Sequence, residues 1–91
     1  MKMTASLQRK LKGNTKAMLQ KLGIIKELLA NQSNPERGLM EISEVKRLIN
    51  KIRIIAKSCN RLDYVYQLKG SENYLVKAEA LFKKQIAKRG E

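Results

Sequence analysis

Residues 43–69 read SEVKRLINKIRIIAKSCNRLDYVYQLK, and their apolar positions decide the fold class. Val45, Leu48, Ile52, Ile55, Cys59, Leu62 and Tyr66 follow one another at alternating spacings of three and four residues. An α-helix turns about every 3.6 residues, so this alternation holds one seam on one helix face. Ile49 and Ala56 widen the seam to the stripe of a core-facing helix. Lys46, Arg47, Asn50, Lys51, Arg53, Lys57 and Arg61 fall on the other side. The pattern predicts one central helix over 43–69, about 40 Å long, with an apolar face inward and a basic face outward.

Working outward, Ser43 reads as the N-cap of this helix, with Glu44 suited to its first turn. Leu39, Met40 and Ile42 precede it as residues pinned to the core. The run Asn31-Gln32-Ser33-Asn34-Pro35 is a dense turn signal. Asn34 before Pro35 reads as a cap followed by the favoured first-turn proline, opening a short helical turn that Gly38 stops. Before it, Thr15, Met18, Leu22, Ile25 and Leu29 repeat the alternation, flanked by Leu19 and Leu28. This predicts an amphipathic helix ending near Ala30 or Asn31. Residues 1–13 carry Lys2, Arg9, Lys10 and Lys12, with Leu7 and Leu11 one turn apart, and form either a basic arm or an extension of that helix through Gly13.

After the central helix, Lys69-Gly70-Ser71-Glu72 reads as a stop followed by a new start. Leu75, Ala78, Phe82 and Ile86 then share one face, broadened by Tyr74 and Leu81, until Gly90. The expected architecture is all-α: a small antiparallel three-helix bundle with a long central helix, 14–91 forming one helical domain. The alternative makes 62–76 a β-hairpin, because Leu62–Leu68 and Tyr74-Leu75-Val76 are rich in strand formers; the fold would then resemble a winged helix.

Twenty Lys and Arg against eight Asp and Glu give a net charge of +12 over 91 residues. Such a field attracts polyanions. Lys outnumbers Arg fourteen to six, which suits phosphate contact better than bidentate base reading. With no His there is no imidazole base or metal ligand, and one Cys cannot build a structural zinc site. No glycine-rich phosphate loop occurs. The sequence therefore predicts a protein that is not an enzyme and takes no cofactor or metal. Glu41 and Glu44 straddle the expected cap and read as complements to a helix dipole, and Asp63 as the offset of a neighbouring cation. Cys59 lies in the seam and reads as a small core hydrophobe. A single cysteine fits a reducing compartment, so a cytoplasmic location is expected, and no run of apolar residues is long enough to span a membrane.

The positive chemistry is the basic stripe. Lys46, Asn50, Arg53 and Lys57 line one helix face at spacings of four, three and four, flanked by Arg47, Lys51 and Arg61. The expected function is non-enzymatic nucleic-acid binding, DNA ahead of RNA, by an accessory or regulatory factor of phage or plasmid type. Tyr64 and Tyr74 suit stacking on unpaired bases, whereas Tyr66 falls on the core seam. The competing expectation is a helical module that docks on an acidic protein or an anionic membrane surface, as an inhibitor or in the manner of a bacteriocin-immunity protein. Its warrant is an apolar surplus at Leu19, Ile24, Leu28, Ile49, Ile54 and Val65. The long seam also suits a homodimer.

Overall fold

The computed structural model describes residues 5–89 and consists of three helices: α1 (Ala5–Asn31), α2 (Pro35–Ser58) and α3 (Leu62–Arg89). Lys2, Gly90 and Glu91 lie outside the described residues. α2 runs antiparallel to both neighbours and packs extensively against each, whereas α1 and α3 barely touch. The result is a rod of 55 × 17 × 16 Å with a radius of gyration of 15.1 Å, against about 12 Å for a compact domain of this length. No strand occurs among the described residues, so the hairpin alternative at 62–76 is not supported: all fifteen positions are helical.

The helix boundaries bear on the expectations in three places: the first settles the open choice at Gly13 in favour of the helix extension, and the other two depart from the expected boundaries. α1 passes through Gly13 without interruption, so residues 5–13 are its first turns and Leu11 is in the core, 1% exposed. α2 begins at Pro35 rather than Ser43. The Asn34 side chain accepts a hydrogen bond from the Arg37 amide at 3.3 Å, as a cap must, and Ser43 sits exposed in mid-helix. Gly38 does not stop the helix; it is where Phe82 of α3 crosses α2, and a Cβ there would collide with the Phe82 ring. Close approach, not chain reversal, is why glycine stands at 38.

The third place shows the larger departure. The central helix ends at Ser58, and Gly70, Ser71 and Glu72 lie within α3. The Arg61 amide donates to the Ala56 carbonyl at 2.7 Å and the Asn60 amide to Lys57 at 3.2 Å, with Asn60 left-handed at φ 56°. This is the αL termination that glycine usually occupies. The same pattern closes α1, where Ser33 donates to Leu28 and Gln32 to Leu29, both at 3.2 Å, with Gln32 at φ 50°.

The apolar seam holds as far as the turn. Val45, Ile49, Ile52, Ala56 and Cys59 are buried, while Leu48 and Ile55 are half-buried. Past it, Leu62 and Tyr66 are 53% and 68% exposed, because α3 starts on a new rotational phase. Leu68, Leu75, Ala78 and Phe82 instead form its buried face, in one core with the α2 seam and with Leu11, Met18, Leu22, Ile25 and Leu28 of α1. Met40, expected in the core, is exposed.

Candidate nucleic-acid interface

The seven residues of the basic stripe separate into three environments. Lys46, Asn50 and Arg53 stand on the side of α2 that faces α3. The Lys46 ammonium donates to Glu79 at 2.9 Å, Arg53 donates to Glu72, and Arg53 also donates to the Asn50 side-chain oxygen at 3.2 Å. With Ile49, Leu75 and Val76 they line a depression of about 250 Å³ between the two helices. Lys46 and Arg53 tie α3 to α2, and Asn50 braces Arg53 within α2. Arg47, Lys51 and Lys57 are exposed and make no ion pair with any described residue. Arg61 is not on α2 at all. It lies in the α2–α3 turn and grips Asp63 through two nitrogens, at 3.1 and 2.9 Å, with its guanidinium 4.9 Å from the Tyr64 ring centre.

α1 adds a cation that the stripe did not include. Lys10 and Asn14 meet Lys51 across a depression of about 430 Å³ floored by Ile54 and Ile55. The signal for it was present in the charge of the segment: α1 holds Arg9, Lys10, Lys12, Lys16, Lys21 and Lys26 against the single acid Glu27.

The acids follow a different rule from the bases. Six of the seven described carboxylates are in ion pairs, and five of those six bridge two helices. Glu41 and Glu44 both clamp Lys21 of α1, Glu41 at 3.2 Å while 6% exposed. They are helix-to-helix clamps, not dipole complements at a cap. Glu36 pairs with Arg89 at the far end, and Glu79 takes Lys83 at 3.1 Å as well as Lys46. Asp63 offsets Arg61, as its sequence position suggested. Hydrogen bonds from Lys21, then its charge, hold the Glu44 carboxyl below the usual range; Lys46 and Lys83 do the same to Glu79, and Arg61 to Asp63. The reciprocal effect of Glu44 and Glu41 raises Lys21. Thirteen of the nineteen described Lys and Arg are left with no described carboxylate in ion-pair range.

The α1–α3 seam carries no ion pair among the described residues. Its polar contact is Lys26 over the Tyr74 ring at 5.6 Å. Burial pushes the Tyr74 hydroxyl up from its ordinary pKa. Tyr66, on the outer side of α3, meets Lys69 in this way, at 5.5 Å.

No protein-family model, curated protein or solved structure matches the chain.

Proposed function

We propose that this protein is a non-enzymatic nucleic-acid-binding factor of the cytoplasm, contacting phosphates through unpaired surface cations. One observation carries the reading: five of the seven described acids bridge two helices, so most of the surface cations face solvent without an acid partner. The footprint centres on Arg47, Lys51 and Lys57 of α2, extended by Lys10 of α1. Lys46 and Arg53 contribute indirectly, by fixing α3 to α2. Affinity arises from counterion release and is steeply salt-dependent. DNA of an accessory or regulatory locus, as in phage or plasmid systems, is the favoured target. The test is anisotropy on duplex DNA over a salt series. Arg47→Gln with Lys51→Gln and Lys57→Gln should lower the slope of log K against log salt by close to three, about 0.9 per lost phosphate contact. Absence of binding in the micromolar range at low salt overturns the reading.

A second reading has its own support. Met40 and Ile54 are 54% and 67% exposed and flank Arg47 on the outer face of α2 at seven-residue spacing. Large exposed apolar residues among cations suit an acidic protein surface, an anionic lipid surface, or a second copy of the chain. No helix among the described residues is long and apolar enough to cross a membrane. A stoichiometric protein partner that survives nuclease treatment during purification favours this reading. Sedimentation equilibrium against the 10.4 kDa chain mass tests the dimer.

A further inference from the structure

The groove between α1 and α3 plays no part in the duplex footprint and differs from the other two seams. Where α2 meets its neighbours, acids and bases interlock; between α1 and α3 no carboxylate crosses among the described residues. Where the middle of α1 passes the start of α3 the seam opens into a depression of about 470 Å³, lined by Lys12, Thr15, Lys16, Leu19, Gln20 and Tyr64. A second depression of about 290 Å³ lies beside it, and Lys12 and Tyr64 border both. The half-buried Tyr64 ring thus stands between two openings, steadied by the Arg61 guanidinium at 4.9 Å. Leu19 is 58% exposed at the same place and gives the depression an apolar wall near the ring. Lys12 and Lys16 are one helical turn apart, about 6 Å, and neither has an ion-pair partner among the described residues. The nearby acid Asp63 is already neutralised by Arg61.

We infer that this groove is a single-strand site: Tyr64 and Leu19 receive an unpaired base, and Lys12 and Lys16 hold the phosphates on either side of it. The inference rests on the nucleic-acid reading and adds a preference to it. An aromatic ring and an exposed leucine beside cations match a polymer that offers flat apolar faces and regular negative charge together. Unpaired nucleotides do so; a duplex hides its base faces in the stack and offers only phosphate to such a surface.

The chain has three tyrosines and no tryptophan, which makes Tyr64 observable. In a Tyr66→Phe, Tyr74→Phe background the tyrosine emission belongs to Tyr64 alone, and stacking quenches it. Saturating single-stranded DNA of mixed sequence should quench that emission, and duplex of equal length should not. Tyr64→Leu should weaken single-strand binding by about 10-fold or more while duplex binding stays within about 2-fold. Because Tyr64 also borders the core, Lys12→Gln with Lys16→Gln serves as a second, exposed variant; it should lower single-strand affinity more than duplex affinity. Arg47→Gln with Lys51→Gln should do the reverse. Bound single strand that leaves Tyr64 unquenched overturns the inference and leaves the nucleic-acid reading standing, as does polyglutamate that displaces the strand from an unquenched Tyr64. A parent protein that binds neither strand nor duplex overturns both.

Discussion

Gly38 and Phe82 set the distance between α2 and α3. The Phe82 ring is fully buried and lies over position 38, where only hydrogen fits. Gly38→Ala should therefore destabilise despite the better helix propensity of alanine. Overpacking of this kind costs about 1–3 kcal/mol, more than the ~1 kcal/mol that propensity returns. A chemical-denaturation midpoint below that of the parent is the expected result, and Phe82→Leu in the Gly38→Ala background should recover part of the loss by clearing the ring. Gly38 was legible as a special residue but not as this one. A glycine five residues before the expected cap at Ser43 is a helix stop by local rules, and its contact lies forty-four positions away in the chain.

At the scale of the helix, the decisive feature is the turn at Cys59-Asn60-Arg61. Asn60 accepts the left-handed conformation that β-branched residues resist. Asn60→Val should cost about 1–2 kcal/mol, whereas Asn60→Gly should be close to neutral or mildly stabilising. Thermal melts on the two variants distinguish an αL turn from a continuous helix, in which Gly would be the worse of the two. The exposed glycines inside the helices make the complementary point. Gly13, Gly23 and Gly70 would bring a Cβ into open space, so each replacement by Ala should stabilise by about 0.5–1 kcal/mol. The sites are well separated and should add. A triple variant should melt several degrees higher, about 4–8 °C per kcal/mol in a domain of this size; no rise would mean that the helices bend at these points.

For the whole molecule, most described acids bridge two helices while most described bases face solvent without an acid partner. The pH dependence of stability follows from that division. Glu44 and Glu79 have folded pKa values below their ordinary 4.5, and Asp63 below 3.8. Groups depressed in the folded state bind fewer protons there than in the unfolded chain, so their contribution is full above the unfolded pKa and is lost as pH falls through the folded one. Lys21 is raised above its ordinary 10.5, so its contribution is full below that value and is lost at higher pH. Melting temperature should stay level between these limits and fall on acidification below 4.5, as the clamps protonate and the net positive charge grows. Glu44→Gln with Glu79→Gln should lower the neutral-pH melting temperature and shrink its acid-induced drop. An unchanged drop would place the acid sensitivity elsewhere.

The sequence by itself determined that the chain is mainly helical, that a turn lies at 31–35, and the principal buried rows, Met18, Leu22 and Ile25 of α1, Val45, Ile49, Ile52 and Ala56 of α2 and Leu75, Ala78 and Phe82 of α3, though not the exposure of Leu19, Met40 and Leu81. These are consequences of short-range periodicity, since side chains three and four apart share a helix face whatever surrounds them. It also determined the sign and excess of charge. Tertiary structure decided where the second helix ends. The heptad row continues past Asn60 in the sequence, but folding back at 59–61 yields helices of 27, 24 and 28 residues that cover one another. Buried area shared between matched helices outweighs a locally continuous seam. Tertiary structure likewise decided which cations are free. Lys46 and Lys57 look alike in sequence, yet Lys46 meets Glu79 thirty-three positions away and Lys57 meets no described acid. Ion pairing depends on which helices become neighbours, and periodicity within one helix carries no information about that.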